Sequence, residues 1–236
     1  MERTPRRLAR IAGILYLVIF VTAGFSEGAV RADLITYGDP AATAANLLDN
    51  SSLVRLSVVS DAVAFIADAI VSVLLYLILV PVSKPLAMSA AVLRLIAHPA
   101  IALVNLVPYL GGLLVLDGTV PMASFSAEQT QSISMILLEL HHHGYYIAGA
   151  MFGVHCLLLG ILLVRSVEFP RLIGYVMMLA AAGYLIESIG TFLAPQNHEA
   201  YAMIVLVPAV VGELSVALWL LLKVGRQSPL PKGASV

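Results

Sequence analysis

Three adjacent histidines, His141, His142 and His143, end a polar stretch within LELHHHGYYIAGAMFGVH, and His155 follows inside the apolar run. Imidazoles at such an edge can bind a metal, relay protons or form a hydrated helix end, because the ring nitrogens both donate and accept. Zinc takes imidazole and carboxylate ligands, and two ligands on one helix must stand three or four residues apart. Glu139 is so placed relative to His142 and His143. The three histidines fan over about 200° of a helix, so they cannot all grip one ion. With acids from neighbouring segments, the candidate set for zinc or another divalent ion is His141, His142, His143, Asp61 and Glu187. The competing reading is interfacial: the rings of HHHGYY have apolar bodies and polar tips suited to a bilayer surface.

Ionisable groups also stand inside apolar runs, where each is costly unless partnered and is therefore a functional candidate. They are Asp61, Asp68, Arg94, His98, His155, Glu187 and Glu213, with Asn105 as a neutral companion. At about 100° per residue, Asp61 and Asp68 share one helix face, and Arg94, His98 and Asn105 share another. His141 and His155 also fall close together on their helix. Two such stripes on consecutive antiparallel helices most simply face each other, which predicts a polar cavity or ion pathway lined by these eight residues. Arg94 is the one cation expected inside, against four acids, so a proton or metal ion would balance the excess. The alternative is that Arg94 pairs with Asp68 or Glu213 to fix packing, while the other acids bond hydroxyls or face water.

The elements that must position these groups are membrane helices. Of 236 residues, 60% are hydrophobic and 11% charged, against about 25% charged in a soluble domain. The net charge of −1 gives no nucleic-acid footprint, and the one cysteine, Cys156, can form no internal disulfide. A helix needs about 20 apolar residues to cross a bilayer. Six stretches qualify: Leu8–Phe25, Leu56–Val80, Leu86–Leu116, Tyr145–Val164, Leu172–Ala194 and Ala202–Val224. This predicts an all-α integral membrane bundle of six transmembrane helices over residues 1–225, with a disordered cytoplasmic tail at 226–236. Pro99 and Pro108 should bend the third span and Pro208 the sixth. Asp39 and Pro40 can start a short amphipathic helix on the outer side. Ser126 can cap another, which lies on the surface or runs into the fourth span. Gly149, Gly153 and Gly160 form a small-residue stripe for close helix packing. The first stretch also has the layout of a signal peptide, and retention as an anchor suits the five spans that follow.

Lysine and arginine set the orientation. With the N-terminus inside, Arg3, Arg6, Arg7, Arg10, Lys84, Arg165, Arg171, Lys223, Arg226 and Lys232 are cytoplasmic, and only Arg31 and Arg55 lie outside. Both termini are then cytoplasmic.

ARIAGILYLVIFV (Ala9–Val21), FPRLIGYVMMLAAAGYLIES (Phe169–Ser188) and VPAVVGELSVALWLLLKV (Val207–Val224) carry a resemblance. Their F-P-x-x-x-G and G-E-x-x-x-x-x-W-L patterns resemble an uncharacterised bacterial multipass membrane family, domain of unknown function 4386. The resemblance implies a bacterial inner-membrane protein of about six helices and implies no activity. No serine-nucleophile elbow, phosphate loop, dinucleotide fingerprint or CxxC pair occurs. Three functions stand: small cation- or proton-coupled transport along the acidic stripe; an intramembrane metal-dependent hydrolase of a lipid or other amphiphile, using zinc-bound water; and a structural or partner-binding membrane protein. The partners implied are the lipid bilayer and a small molecule, ion or lipid substrate, without nucleic acid.

Overall fold

Six helices in the computed structural model are long and apolar enough to cross a membrane, and no strand forms among the described residues, 6–224. The helices are α1 (Arg6–Leu34), the short α2 (Pro40–Asp49), α3 (Ser51–Leu79), α4 (Lys84–Leu116), α5 (Ala127–Arg165), α6 (Arg171–Leu193) and α7 (Pro195–Leu222). The segment expected as a tail, 226–236, lies outside the described residues, as does Arg3.

Two helices outrun their hydropathy bounds. α1 continues past Phe25 through a wider π-helical turn, Phe25–Arg31. There Ser26 Oγ donates to the carbonyls of Thr22, 3.1 Å away, and Ser57, 2.9 Å away. α5 begins at a capping box: Ser126 Oγ accepts from the Gln129 N–H, and Gln129 Oε1 accepts from the Ser126 N–H. Two orphan donors are thus satisfied, and the polar segment runs unbroken into the span instead of forming a separate surface helix. α2 starts as its sequence predicts, with Asp39 Oδ1 accepting from the Ala42 N–H at 3.0 Å and Pro40 in the first turn. α4 is interrupted by a π-helical turn around Pro99, Ile96–Ala102, and by a turn at Asn105. A proline cannot donate to the carbonyl four residues back, so the helix widens there. Pro208 lies within continuous helix.

The spans form a closed ring in the order α1, α3, α4, α5, α6, α7, with α7 packed back on α1. Both described termini lie at one end, here the proximal end, and α2 lies at the opposite, distal end. The centre of the proximal half is a buried apolar core that includes Ala12, Tyr16, Val71, Leu75, Leu159, Leu163 and Leu220. Glycine sets the tightest contacts. α5 meets α6 where Gly160 and Gly174 face each other, and a Cβ on either glycine would lie 2.7 Å from the other's carbonyl oxygen. Gly149 and Gly153 extend that contact under Ser188 and Leu185. Gly13 likewise seats α1 against the backbone of Ala217 and Leu221 on α7.

Candidate functional site

The distal half of the ring is not filled. A cavity of about 330 Å³ lies between α1, α3, α4, α5 and α6. On α5 its lining runs from His141 to Phe152, which is about 16 Å along a helix axis. The walls mix apolar and aromatic groups, among them Ile19, Ala64, Phe65, Tyr145 and Tyr184, with Glu27, Arg31, Asp61, Asp68 and Glu187.

Its floor is a buried polar network. Arg94 Nε and Nη2 both donate to Asp68 Oδ1, while Nη1 donates to Tyr16 Oη at 2.6 Å. Arg94 and Asp68 are each 1% exposed. The guanidinium also lies over the rings of Tyr16 and Phe152, 4.7 and 5.2 Å from their centroids. His155 completes the set. Its Nδ1–H donates to the Ala90 carbonyl at 2.8 Å, and Nε2 accepts from Arg94 Nη1 at 3.1 Å. A carbonyl only accepts and a guanidinium only donates, so these partners fix the tautomer. Above the floor, His98 Nδ1 lies 3.4 Å from Asp68 Oδ2, and the His98 ring packs 4.3 Å from that of Phe152.

A second ion pair stands nearer the mouth. Arg31 donates from Nη1 to Asp61 Oδ2 and from Nε to Glu27 Oε2, with Tyr109 and Tyr145 at 5.2 and 5.7 Å from its guanidinium carbon. Asp61 and Asp68 do share one face of α3, and each is held by an arginine between two aromatic rings. The expectation of a single buried cation is therefore corrected: Arg31 is 6% exposed, because the extra π-helical turn carries it into the ring. The Glu27–Arg31 spacing of four residues was the available signal for a continuing helix. Three tyrosines are also polar partners. Tyr16 serves Arg94, Tyr109 bonds Ser57, and Tyr184 Oη donates to Glu213 Oε1 at 2.7 Å. Glu213 thus stands one hydrogen bond behind the cavity wall.

The histidines divide by helical phase. His141 and His155 face α4 and make the same bond to it, Nδ1–H to the carbonyl of Asn105 and of Ala90 respectively. Asn105 reciprocates from Nδ2 to the His141 carbonyl at 2.6 Å, its amide filling the notch over Gly144. Asn105 therefore faces α5 rather than the cavity, because the intervening π turn shifts the phase that would have aligned it with Arg94 and His98. His142 bonds Tyr146 Oη at 2.9 Å on the cavity wall. His143 lies instead in a neighbouring cleft with Glu139 and His198.

Of the residues considered for a divalent ion, His141, His142, Asp61 and Glu187 line the cavity, and His143 does not. Asp61 is engaged by Arg31, and among the described residues no three His, Cys, Asp or Glu side chains are grouped to hold a metal ion. What the cavity does offer is unspent hydrogen-bonding capacity. Asp68 Oδ2, His141 Nε2 and Ser188 Oγ are buried without a hydrogen-bond partner among the described residues, and all three residues line it. Buried polar atoms are rarely left so in a packed interior.

No curated protein and no solved structure matches the chain. A family model described as domain of unknown function (DUF4386) matches residues 11–224. The motifs that suggested it have structural reasons: Gly174 of F-P-x-x-x-G makes the α5–α6 crossing, and in G-E-x-x-x-x-x-W-L Glu213 accepts from Tyr184 while Trp219 Nε1 donates to the Glu168 carbonyl at 2.8 Å. With nearly its whole described length covered, the chain belongs to the domain of unknown function (DUF4386) family.

Proposed function

We propose that this is a bacterial inner-membrane protein that carries a small cation across the bilayer, with the cavity as its binding site in an outward-open state. The observation that carries the reading is the charge and reach of that cavity. Glu27, Asp61, Asp68 and Glu187 line it, while the two arginines paired to them, Arg31 and Arg94, leave two negative charges uncompensated. A low-dielectric cleft of one sign concentrates ions of the other. Among the described residues, the proximal end holds Arg6, Arg7, Arg10, Lys84, Arg165, Arg171 and Lys223, and the distal end only Arg31 and Arg55. That bias supports a cytoplasmic proximal end. The apolar core of the proximal half then forms the closed inner gate, with the Asp68–Arg94 pair at its upper edge.

The test is flux. Proteoliposomes carrying the purified protein, under an inside-negative potential, should accumulate labelled methylammonium saturably and faster than protein-free liposomes. Asp68→Asn, checked for monodispersity in detergent, should abolish the difference. Uptake of methylammonium, rubidium and protons all equal to that of empty liposomes would overturn the proposal.

A further inference from the structure

The three buried, unpartnered polar atoms of the cavity can all accept a hydrogen bond. His141 gives its Nδ1–H to a backbone carbonyl, so the neutral ring presents Nε2 as a bare lone pair. Asp68 Oδ2 is a carboxylate oxygen without a hydrogen-bond partner, and Glu187 has no ionic partner among the described residues. Ser188 Oγ, equally unpartnered, can accept as well. A cavity whose unspent groups accept calls for a ligand that donates, which favours N–H cations over quaternary ammonium ions.

The acceptors also lie at different depths. Ser188 sits beside Gly149, where a Cβ would be 2.7 Å from its Oγ, and Glu187 is its neighbour in sequence. Asp68 lies lower, at the level of Phe152, to which His98 connects it. Gly149 and Phe152 are separated by about 5 Å along α5, and lateral distance across the cavity adds to this. Ala64, Phe65 and Phe152 supply apolar wall to the same cavity. Arg94 engages Asp68 through Oδ1 and leaves Oδ2 without a hydrogen-bond partner, so two acidic stations at different depths, Glu187 and Asp68, match a short chain with a cation at each end.

We infer that the ligand is a linear aliphatic diamine in its dicationic form, one ammonium at Glu187 and Ser188 and the other at Asp68 Oδ2. This rests on the proposed cation-binding role of the same cavity and names its ligand class. The test is equilibrium binding of labelled 1,4-diaminobutane and 1,5-diaminopentane to the purified full chain in detergent, with butylamine and tetramethylammonium as comparisons. The diamines should bind saturably and at least tenfold more tightly than butylamine. Glu187→Gln should bring diamine affinity down to the butylamine level while leaving butylamine within about twofold. Because Glu187 holds no ionic partner among the described residues, that variant should keep the thermal stability of the parent. Ser188→Ala provides a second, milder step in the same direction. Diamine binding no tighter than butylamine, or unchanged by Glu187→Gln, would overturn the inference. If methylammonium or proton flux persists without diamine binding, the ligand assignment fails and the transport reading stands. Diamine binding that depends on Glu187 without any flux has the opposite meaning.

Discussion

Arg94→Met should destabilise the bundle by about 3–5 kcal/mol, measured as the shift in unfolding free energy during SDS titration of mixed micelles. The magnitude is that of removing one partner from a buried ion pair. The loss exceeds that of one hydrogen bond because Asp68 is left with an uncompensated charge, 1% exposed, while Tyr16 Oη and His155 Nε2 lose their donor. The same physics predicts a rescue. Taking two charges out of water costs nearly as much as their attraction returns, so replacing both by apolar groups of similar size is often neutral. Arg94→Met combined with Asp68→Leu should recover most of the lost stability and still lack transport. A double variant no more stable than Arg94→Met alone would show that the network holds the fold by more than this pair.

Gly174→Leu should have a comparable effect through sterics alone. An added Cβ would lie 2.6 Å from Val164 Cγ2, 2.7 Å from the Gly160 carbonyl oxygen and 2.8 Å from the Val164 nitrogen. Two of those three atoms are backbone and cannot swing aside. Overpacking costs about 1–3 kcal/mol where side chains can adjust, so this substitution belongs at or above the upper end, and α6 must move away from α5. Thermal melting in detergent measures it. Gly24→Ala is the internal comparison, since nothing lies within 4 Å of its would-be Cβ, and it should leave the melting point unchanged or slightly raised. Equal melting points for the two variants would contradict the close-packed crossing.

The parts of this architecture that depend on local pattern were legible in the sequence. Hydropathy located all six spans, Asp39–Pro40 and Ser126 marked the starts of α2 and α5, and seven-residue spacing placed Asp61 and Asp68 on one face. The phase argument that aligned His141 with His155 also held, and the structure supplies its cause in their matching bonds to α4. What failed depended on helix neighbours or on irregular turns. Arg94 on α4 and Tyr16 on α1 are 78 residues apart, and nothing local pairs them. Arg31 read as an outer-loop residue because Glu27 and Arg31 end the apolar run, whereas their mutual ion pair and Asp61 allow the helix to continue. Asn105 left the predicted polar stripe because the π turn at Ile96–Ala102 changes the residue count per turn. Both π turns thus lie where a regular 3.6-residue repeat misplaces a polar side chain, and each adjoins the cavity.

The measurement that tests the cation-binding cavity most directly is its accessibility to charged reagents. Cys156 is the sole cysteine and is buried, so Cys156→Ala gives a thiol-free background for Ile19→Cys on the cavity wall. In right-side-out membrane vesicles, a membrane-impermeant cationic methanethiosulfonate should modify this thiol, and faster than its anionic analogue, because the proposed site is acidic and outward-open. In inside-out vesicles the same reagent should react slowly or not at all. Faster reaction from the cytoplasmic side, or a preference for the anionic reagent, would contradict the account.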